Sequence, residues 1–231
     1  MDTFECIKTR RATRKYLDVP VAWDLVSNIL EAGRYAPSAG NLQNWKFIVI
    51  LEKPKREAIA EACLKQMWMA EAPVIIVICA EPKKAERYYG IRGERLYTIQ
   101  NCAAVAANML LEAHNQGLGG CWVGAFDEEM VKRALAMPEE ARPQIILTFG
   151  YPDEKVPVPT RFPLEPMTYF ERWRGRIQDV PTYFGYFGPK IQKFIKSGEA
   201  FARKHGKKVA EKTKEVAKKV KKKIQEKKKK S

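Results

Sequence analysis

The sequence predicts a soluble protein in which helices and strands interleave through one folded body, followed by a basic helical tail. Three observations lead there. Helix-period and strand-period apolar patterns alternate along residues 1–182, with no internal repeat. Of the 231 residues, 45% are hydrophobic and 30% charged, the balance of a globular chain with a substantial core. The net charge of +15 is concentrated: residues 190–231 carry 18 Lys/Arg against 4 Asp/Glu, leaving residues 1–189 nearly neutral with 24 basic and 23 acidic groups. The chain therefore divides into residues 1–182 and residues 183–231, the second part opening on the aromatic hinge Tyr183-Phe184-Gly185-Tyr186-Phe187-Gly188-Pro189.

Residues 3–8 read as a short opening helix with Phe4 and Ile7 one turn apart on one face. Next come Arg10-Arg11-Ala12-Thr13-Arg14-Lys15, Tyr16 and a turn through Pro20. Residues 21–34 are an amphipathic helix, with Leu25, Ile29 and Ala32 on one face and Val26, Leu30 and Gly33 beside them. Residues 45–51 alternate Phe47, Val49 and Leu51 as a strand does, and Pro54 opens a helix expected to run to about Met69. Residues 74–78 are apolar at every position, as in a strand covered on both faces. Residues 81–96 are polar and without a clear period, which reads as a surface excursion or a lid over a substrate; Tyr88, Tyr89 and Arg92 lie there. Residues 99–116 form a long helix dense in Ala, closed by Gly117. Residues 121–126 and 144–149 are strands, and Asp127 caps a short helix over 128–136.

Two stretches carry candidate chemistry. Three arginines and a hydroxyl within Arg10–Arg14 suit an anion, because guanidinium forks match phosphate oxygens in pairs and Thr13 offers a further donor. The turn at residues 34–45 contains Pro37, Ser38, Gly40, Asn41 and Gln43. Its hydroxyl and two amides both give and accept hydrogen bonds, which suits the edge of a flat heterocycle, although a polar surface loop has the same composition. Gly117-Leu118-Gly119-Gly120 follows a helix and precedes a strand, the reverse of a dinucleotide-binding fingerprint.

Some classes are excluded. Cys6, Cys63, Cys79, Cys102 and Cys121 are odd in number, with no C-x-x-C pair, so neither a zinc site nor a disulfide framework is indicated. Buried free thiols in a reducing cytoplasm are expected instead. Asp2 and Glu5 stand where a signal peptide would be apolar, and the run 73–80 is far short of a membrane span.

Taken together, R-R-x-T-R-K-Y, A-P-S-A-G-N-L-Q-N-W, G-L-G-G-C-W, and G-Y-P followed by an arginine occur in the order and spacing of a known family. Over residues 3–170 the chain resembles the FMN-dependent nitroreductases. The resemblance implies an α+β fold, a mixed and largely antiparallel sheet flanked by helices, and an obligate homodimer with FMN between subunits. It implies that Arg10, Arg11 and Arg14 hold the FMN phosphate and ribityl chain, with Arg161 closing on the phosphate. Pro37, Ser38, Asn41 and Gln43 would line the isoalloxazine edge, and Gly119 and Gly120 would bring backbone donors to its other side. Ala12 stands where the family often has Ser, so one phosphate hydroxyl is missing.

On that resemblance the expected activity is hydride transfer from NADH or NADPH through flavin N5 to an electron-poor acceptor, nitroaromatic or quinone-like, by a ping-pong scheme. No catalytic side chain is assigned: the only histidines are His114, in the long helix, and His205, in the tail. Specialised flavin chemistry, reductive dehalogenation or flavin destruction, is the alternative, with residues 81–96 and their Tyr88, Tyr89 and Arg92 facing the substrate. In the tail, Val209, Val216, Val220 and Ile224 recur at helical spacing among lysines. A cytoplasmic protein is expected, and the tail has two readings: a solvated or partly disordered segment, or a helix lying on an anionic membrane surface, which would make the protein peripheral to the inner membrane face. Nucleic acid is the less favoured partner for the same charge, and attachment through the tail is a rival selected role.

Overall fold

The structure, a computed structural model, describes residues 1–175. The chain groups into two compact units, Met1–Pro159 and Thr160–Ser231. The composition break at 182/183, the aromatic hinge and the expected tail helix all lie outside the described residues. Of the second unit, the described part contains a single helical turn at Glu165–Met167 and an edge-to-face pair, Tyr169 with Trp173, at 5.1 Å.

In the first unit, β1 (Trp45–Ile50), β2 (Val74–Ala80), β3 (Gly119–Val123) and β4 (Arg142–Gly150) form one sheet in the order β1-β2-β4-β3. Every neighbouring pair of strands is antiparallel. The expected mixed character reduces to one isolated parallel bridge, Ala12 with Gly120. Helices α2 (Trp23–Arg34) and α5 (Thr98–Asn115) cover one face, and α3 (Lys53–Ala62) and α6 (Glu128–Ala134) the other. Strand side chains alternate between faces, so Val74, Ile76, Ile78 and Ala80 enter the α2/α5 layer while Ile75, Val77 and Cys79 enter the α3/α6 layer. That is why β2 is apolar at every position and buried along its whole length.

Several elements differ from the sequence reading. Helix α3 ends at Ala62 rather than near Met69, because Leu64 and Lys65 take left-handed backbone (φ 56° and 59°) and a short 3₁₀ turn, Met67–Glu71, follows. Residues 81–96 are helical: α4 (Pro82–Arg92) passes into a π-turn, Gly93–Tyr97, that runs on into α5. Gly90 (φ 59°, ψ −154°) breaks the helical pattern there in a conformation open essentially to glycine alone, and α4 buries only Ala85, so no apolar period shows in the sequence. In α1 (Thr3–Thr9), Cys6 packs inward on α5 and the Phe4–Ile7 face is exposed.

The five cysteines are free and buried; burial pushes the Cys63, Cys79 and Cys102 thiols up to about 12, so they are inert at neutral pH. Among the described residues no helix is long and apolar enough to cross a membrane.

After α1 the chain runs along β3, with Thr13 N–H donating to Gly120 C=O at 3.1 Å. Tyr16 anchors this segment. Its hydroxyl donates to Thr13 C=O (2.6 Å), so its contact with Thr148 Oγ1 (2.7 Å) must be donated by the threonine. Thr148 is buried, and Tyr16→Phe strands both partners; the loss is expected to be about 2 kcal/mol, read as a lower unfolding midpoint.

The C-terminal end of α5 holds α1. Thr9 Oγ1 donates to Glu5 C=O (2.7 Å), so His114 Nε2, 2.8 Å away, carries a hydrogen and donates to the hydroxyl. Burial, then the charges of Arg10 and Arg11, hold His114 below its ordinary 6.5. The unfolded chain therefore binds the extra proton more readily than the folded one. The stability that neutral His114 contributes is complete above the unfolded value and lost as pH falls through the folded one. Between about pH 7 and about pH 5 the denaturant midpoint is expected to fall further in wild type than in His114→Gln.

Candidate functional site

The arginine segment follows directly from α1. Arg11 folds back, its Nη1 donating to the Lys8 and Arg10 carbonyls at 2.7 and 2.8 Å. It thereby caps the helix C-terminus, where a cation is favoured. Arg10 and Arg14 make no hydrogen bond or ion pair through their guanidinium groups with any described residue. Both stand near Cys121, where their charges oppose the upward push that burial gives its thiol. Arg14 lies over the Trp68 ring at 5.9 Å. The backbone N–H groups of Arg14 and Lys15 are taken by Glu154 Oε1, at 2.5 and 3.1 Å.

Thr13 does not offer its hydroxyl to this cradle as the sequence suggested. It is buried and packed on Gly119, where a Cβ would come within 2.6–2.8 Å of its side chain. A Cβ on Gly120 would meet Leu110 and Phe149 at 2.9–3.0 Å. Packing thus demands glycine at 119 and admits a side chain at 120 only if Leu110 and Phe149 give way, whatever ligand their backbone meets.

The second cluster is the turn before β1. A single 3₁₀ turn, Ala39–Asn41, carries Gly40 at φ 53°, and Asn41 and Gln43 are left-handed too, at 55° and 47°. Such backbone costs of order 1–3 kcal/mol at each non-glycine residue and persists only where neighbours over-determine it. Ser38 Oγ accepts from Gln43 N–H (3.1 Å), and Gln43 Nε2 donates to Asn41 Oδ1 (2.9 Å). Pro37, Asn41 and Gln43 are exposed and Ser38 half-buried, leaving Asn41 Nδ2 and Gln43 Oε1 open to a ligand while Gln43 Nε2 is engaged by Asn41.

Of the residues proposed to face a substrate, Tyr89 is beside this turn: a Cβ on Gly40 would overlap its hydroxyl. Tyr89 packs edge-on against Tyr97 at 5.3 Å, and Arg92 Nε donates to the Tyr97 hydroxyl at 3.2 Å. Tyr88 is exposed on α4.

The sequence reading missed the support beneath the turn, a buried chain of Asn44, Thr98 and Asn101. Asn101 Oδ1 accepts from Ala39 N–H (3.0 Å), and its Nδ2 donates to Asn44 Oδ1 (2.8 Å). Asn44 Nδ2 donates to Thr98 Oγ1 (3.1 Å), and Thr98 donates to Gly93 C=O (2.9 Å). The available signal was an amide inside an apolar helical run, which is costly unless paired.

The structure does not bring cradle and turn together within one chain. Asn101 touches the turn and His114, 13 residues on along α5, sits by Thr9 and the arginines, a separation of about 20 Å. The sheet agrees: Trp45 lies at one end of edge strand β1, and Gly120 at the opposite end of edge strand β3. Arg161 belongs to the second unit and is exposed.

Known proteins share this architecture. A solved structure of an FMN-dependent nitroreductase from Clostridium difficile superposes with a TM-score of 0.65 at 26% identity, covering 74% of this chain and 98% of that one. A protein of Methanothermobacter thermautotrophicus, whose provisional name couples NADH dehydrogenase with NAD(P)H nitroreductase, is 35% identical over 158 residues, 67% of this chain and 79% of its own. An FMN reductase [NAD(P)H] of Bacillus subtilis is 27% identical over 186 residues, 74% of each chain. The model of the nitroreductase family matches residues 7–69 and 64–151. With that match spanning more than half its length, the chain belongs to the nitroreductase family of enzymes.

Proposed function

We propose that the protein is an FMN-dependent oxidoreductase that passes a hydride from NADH or NADPH to a flat, electron-poor acceptor such as a nitroaromatic or quinone. The observation that carries this reading is the pair of guanidinium groups, Arg10 and Arg14, which no described carboxylate engages, beside a strand edge. The donor set fits FMN: two cations for a phosphate, and an amide-rich turn for the hydrogen-bonding edge of a flavin. FMN, when bound, supplies two-electron chemistry at N5, alternating between donor and acceptor.

The chain's own residues have distinct tasks. Arg10 and Arg14 hold the phosphate, and Arg11 holds the end of α1 so that Arg10 projects at a fixed place. Asn41 and Gln43 would bond the pyrimidine edge of the ring, Asn41 Nδ2 as the free donor toward negative charge and Gln43 Oε1 as an acceptor for a ring N–H. Tyr89 and Arg92 border the acceptor's approach. No side chain needs to act as acid or base, which leaves the acceptor slot free to take varied flat molecules.

The working form is a homodimer with the cofactor between copies. The roughly 20 Å between cradle and turn in one chain supports this. The arginines that would hold the phosphate of one FMN and the amide turn that would meet its ring would then come from different copies. Phe4 and Ile7, 66% and 52% exposed on α1, supply apolar surface for such an interface. The Lys-rich tail, with its net charge of +14, attaches the enzyme to an anionic lipid surface.

Purified protein is expected to be yellow and to elute as a dimer, with Arg14→Ala weakening FMN binding about tenfold or more. Colourless protein that takes up no added FMN would sink the reading. Deleting residues 188–231 should leave FMN binding intact and abolish sedimentation with anionic liposomes; equal sedimentation of both forms refutes the membrane role.

A further inference from the structure

The chain of buried side chains under the turn has only one consistent set of hydrogen-bond directions, and backbone groups at both ends dictate it. Ala39 N–H is a donor, so the Asn101 group facing it must be the carbonyl oxygen. The Asn101 amide NH₂ then points at Asn44 Oδ1, which turns the Asn44 NH₂ toward Thr98 Oγ1. The Thr98 proton is left for Gly93 C=O, which can only accept. Asn44, Thr98 and Asn101 are each at least 95% buried, so no solvent competes for these groups. The Asn44 backbone is itself fixed, Glu81 N–H donating to its carbonyl at 2.9 Å.

We propose that Asn101 is the positioning residue for the flavin-contacting turn, gripping its entry at Ala39 and its exit at Asn44 with one side-chain amide. The proposal rests on the flavin reading above. Three of four successive residues of the turn need such a grip: Gly40, Asn41 and Gln43 are left-handed, and Gln43 is so without glycine's freedom or asparagine's tolerance. The turn's internal bonds join its residues to each other but do not tie it to the body of the protein. Asn101 does that from α5, the helix that also runs to the arginine end of the molecule. The same chain ends on Gly93, in the π-turn that follows Tyr89 and Arg92. It therefore sets the turn's position relative to the segment bordering the acceptor.

Asn101→Asp provides an isosteric test with an internal control. A buried carboxyl has a raised pKa. When neutral, it accepts from Ala39 and donates to Asn44 as the amide does. When ionised, it only accepts, so Asn44 must turn over, Thr98 must donate to Asn44 instead, Glu81 C=O loses the Asn44 NH₂, and Gly93 C=O keeps only the Thr98 backbone N–H. Relative to wild type at the same pH, the variant is expected to bind FMN about tenfold more weakly at about pH 8 and within about twofold at about pH 5. Its flavin midpoint potential should depart from wild type at the higher pH and return at the lower. A purely structural role would lower the unfolding midpoint of the FMN-free protein without this pH-reversible change in the flavin. Affinity and potential equal to wild type at both pH values overturn the proposal. Should that variant fail to fold, Thr98→Val, uncharged and at the far end of the chain, is expected to weaken FMN binding about threefold; unchanged affinity and potential there overturn it. Wild-type protein that takes up no FMN overturns the flavin reading itself, before any variant is compared.

Discussion

Covering the sheet on both faces is the constraint from which the rest of the structure follows. Once α2 and α5 pack on one side and α3 and α6 on the other, β2 and the middle of β4 have no route to water. A polar ligand can then meet the protein only where strands begin, end or lie at an edge. Both candidate clusters are at such places. The arginine segment bridges to the outer strand β3 at Gly120, and the amide turn feeds the first residue of the opposite outer strand, β1. Helix α5 runs between them, contacting the turn through Asn101 and the start of the chain through His114.

Much of this fold is legible in the sequence because burial imposes periods. An uninterrupted apolar run at 74–78 means two covered faces, and alternation at 45–51 means an outer strand, whichever protein carries it. Caps are legible for the same local reason: Asp127 accepts from Met130 N–H at 2.9 Å, as its position before a short helix suggests. The misreadings occur where no period is needed. Helix α4 buries one residue, Ala85, so its remaining positions are unconstrained and look like a loop. The premature end of α3 rests on left-handed Leu64 and Lys65, a conformation neither residue type advertises.

The candidate site divides along the same line. Arginines, exposed amides and glycines announce themselves by type, and their order carries the family resemblance. What holds them in place does not. Thr13 looks like a phosphate donor in a string of letters, yet Gly119 opposite it leaves a hole that its side chain fills. Arg11 looks equivalent to Arg10 and Arg14, yet the end of α1 claims it. These distinctions depend on which neighbour arrives first in three dimensions, and no spacing rule along the chain encodes that. Asn101 is the extreme case. Next to Gln100 and ahead of Cys102, Ala103 and Ala104 it reads as a helix residue of no consequence, and only the arrival of Ala39 and Asn44 from far upstream gives it a task.

The energetics of the turn then bear on why a polar chain is tolerated in the core at all. Replacing a fully paired buried network by apolar side chains of similar shape is often neutral or stabilising, so stability alone does not require these residues. An apolar core would, however, leave the turn free to relax toward backbone angles that Asn41 and Gln43 prefer. Directional bonds at both its ends forbid that, because the sequence of directions cannot be reversed without stranding Ala39 N–H and taking the Asn44 and Thr98 donors from Glu81 and Gly93. The strain in the turn and the order in the core are thus two sides of one arrangement. Exposed amides are held ready for a flat ligand by groups that never touch it, and an apolar substitute of equal stability could not hold them so.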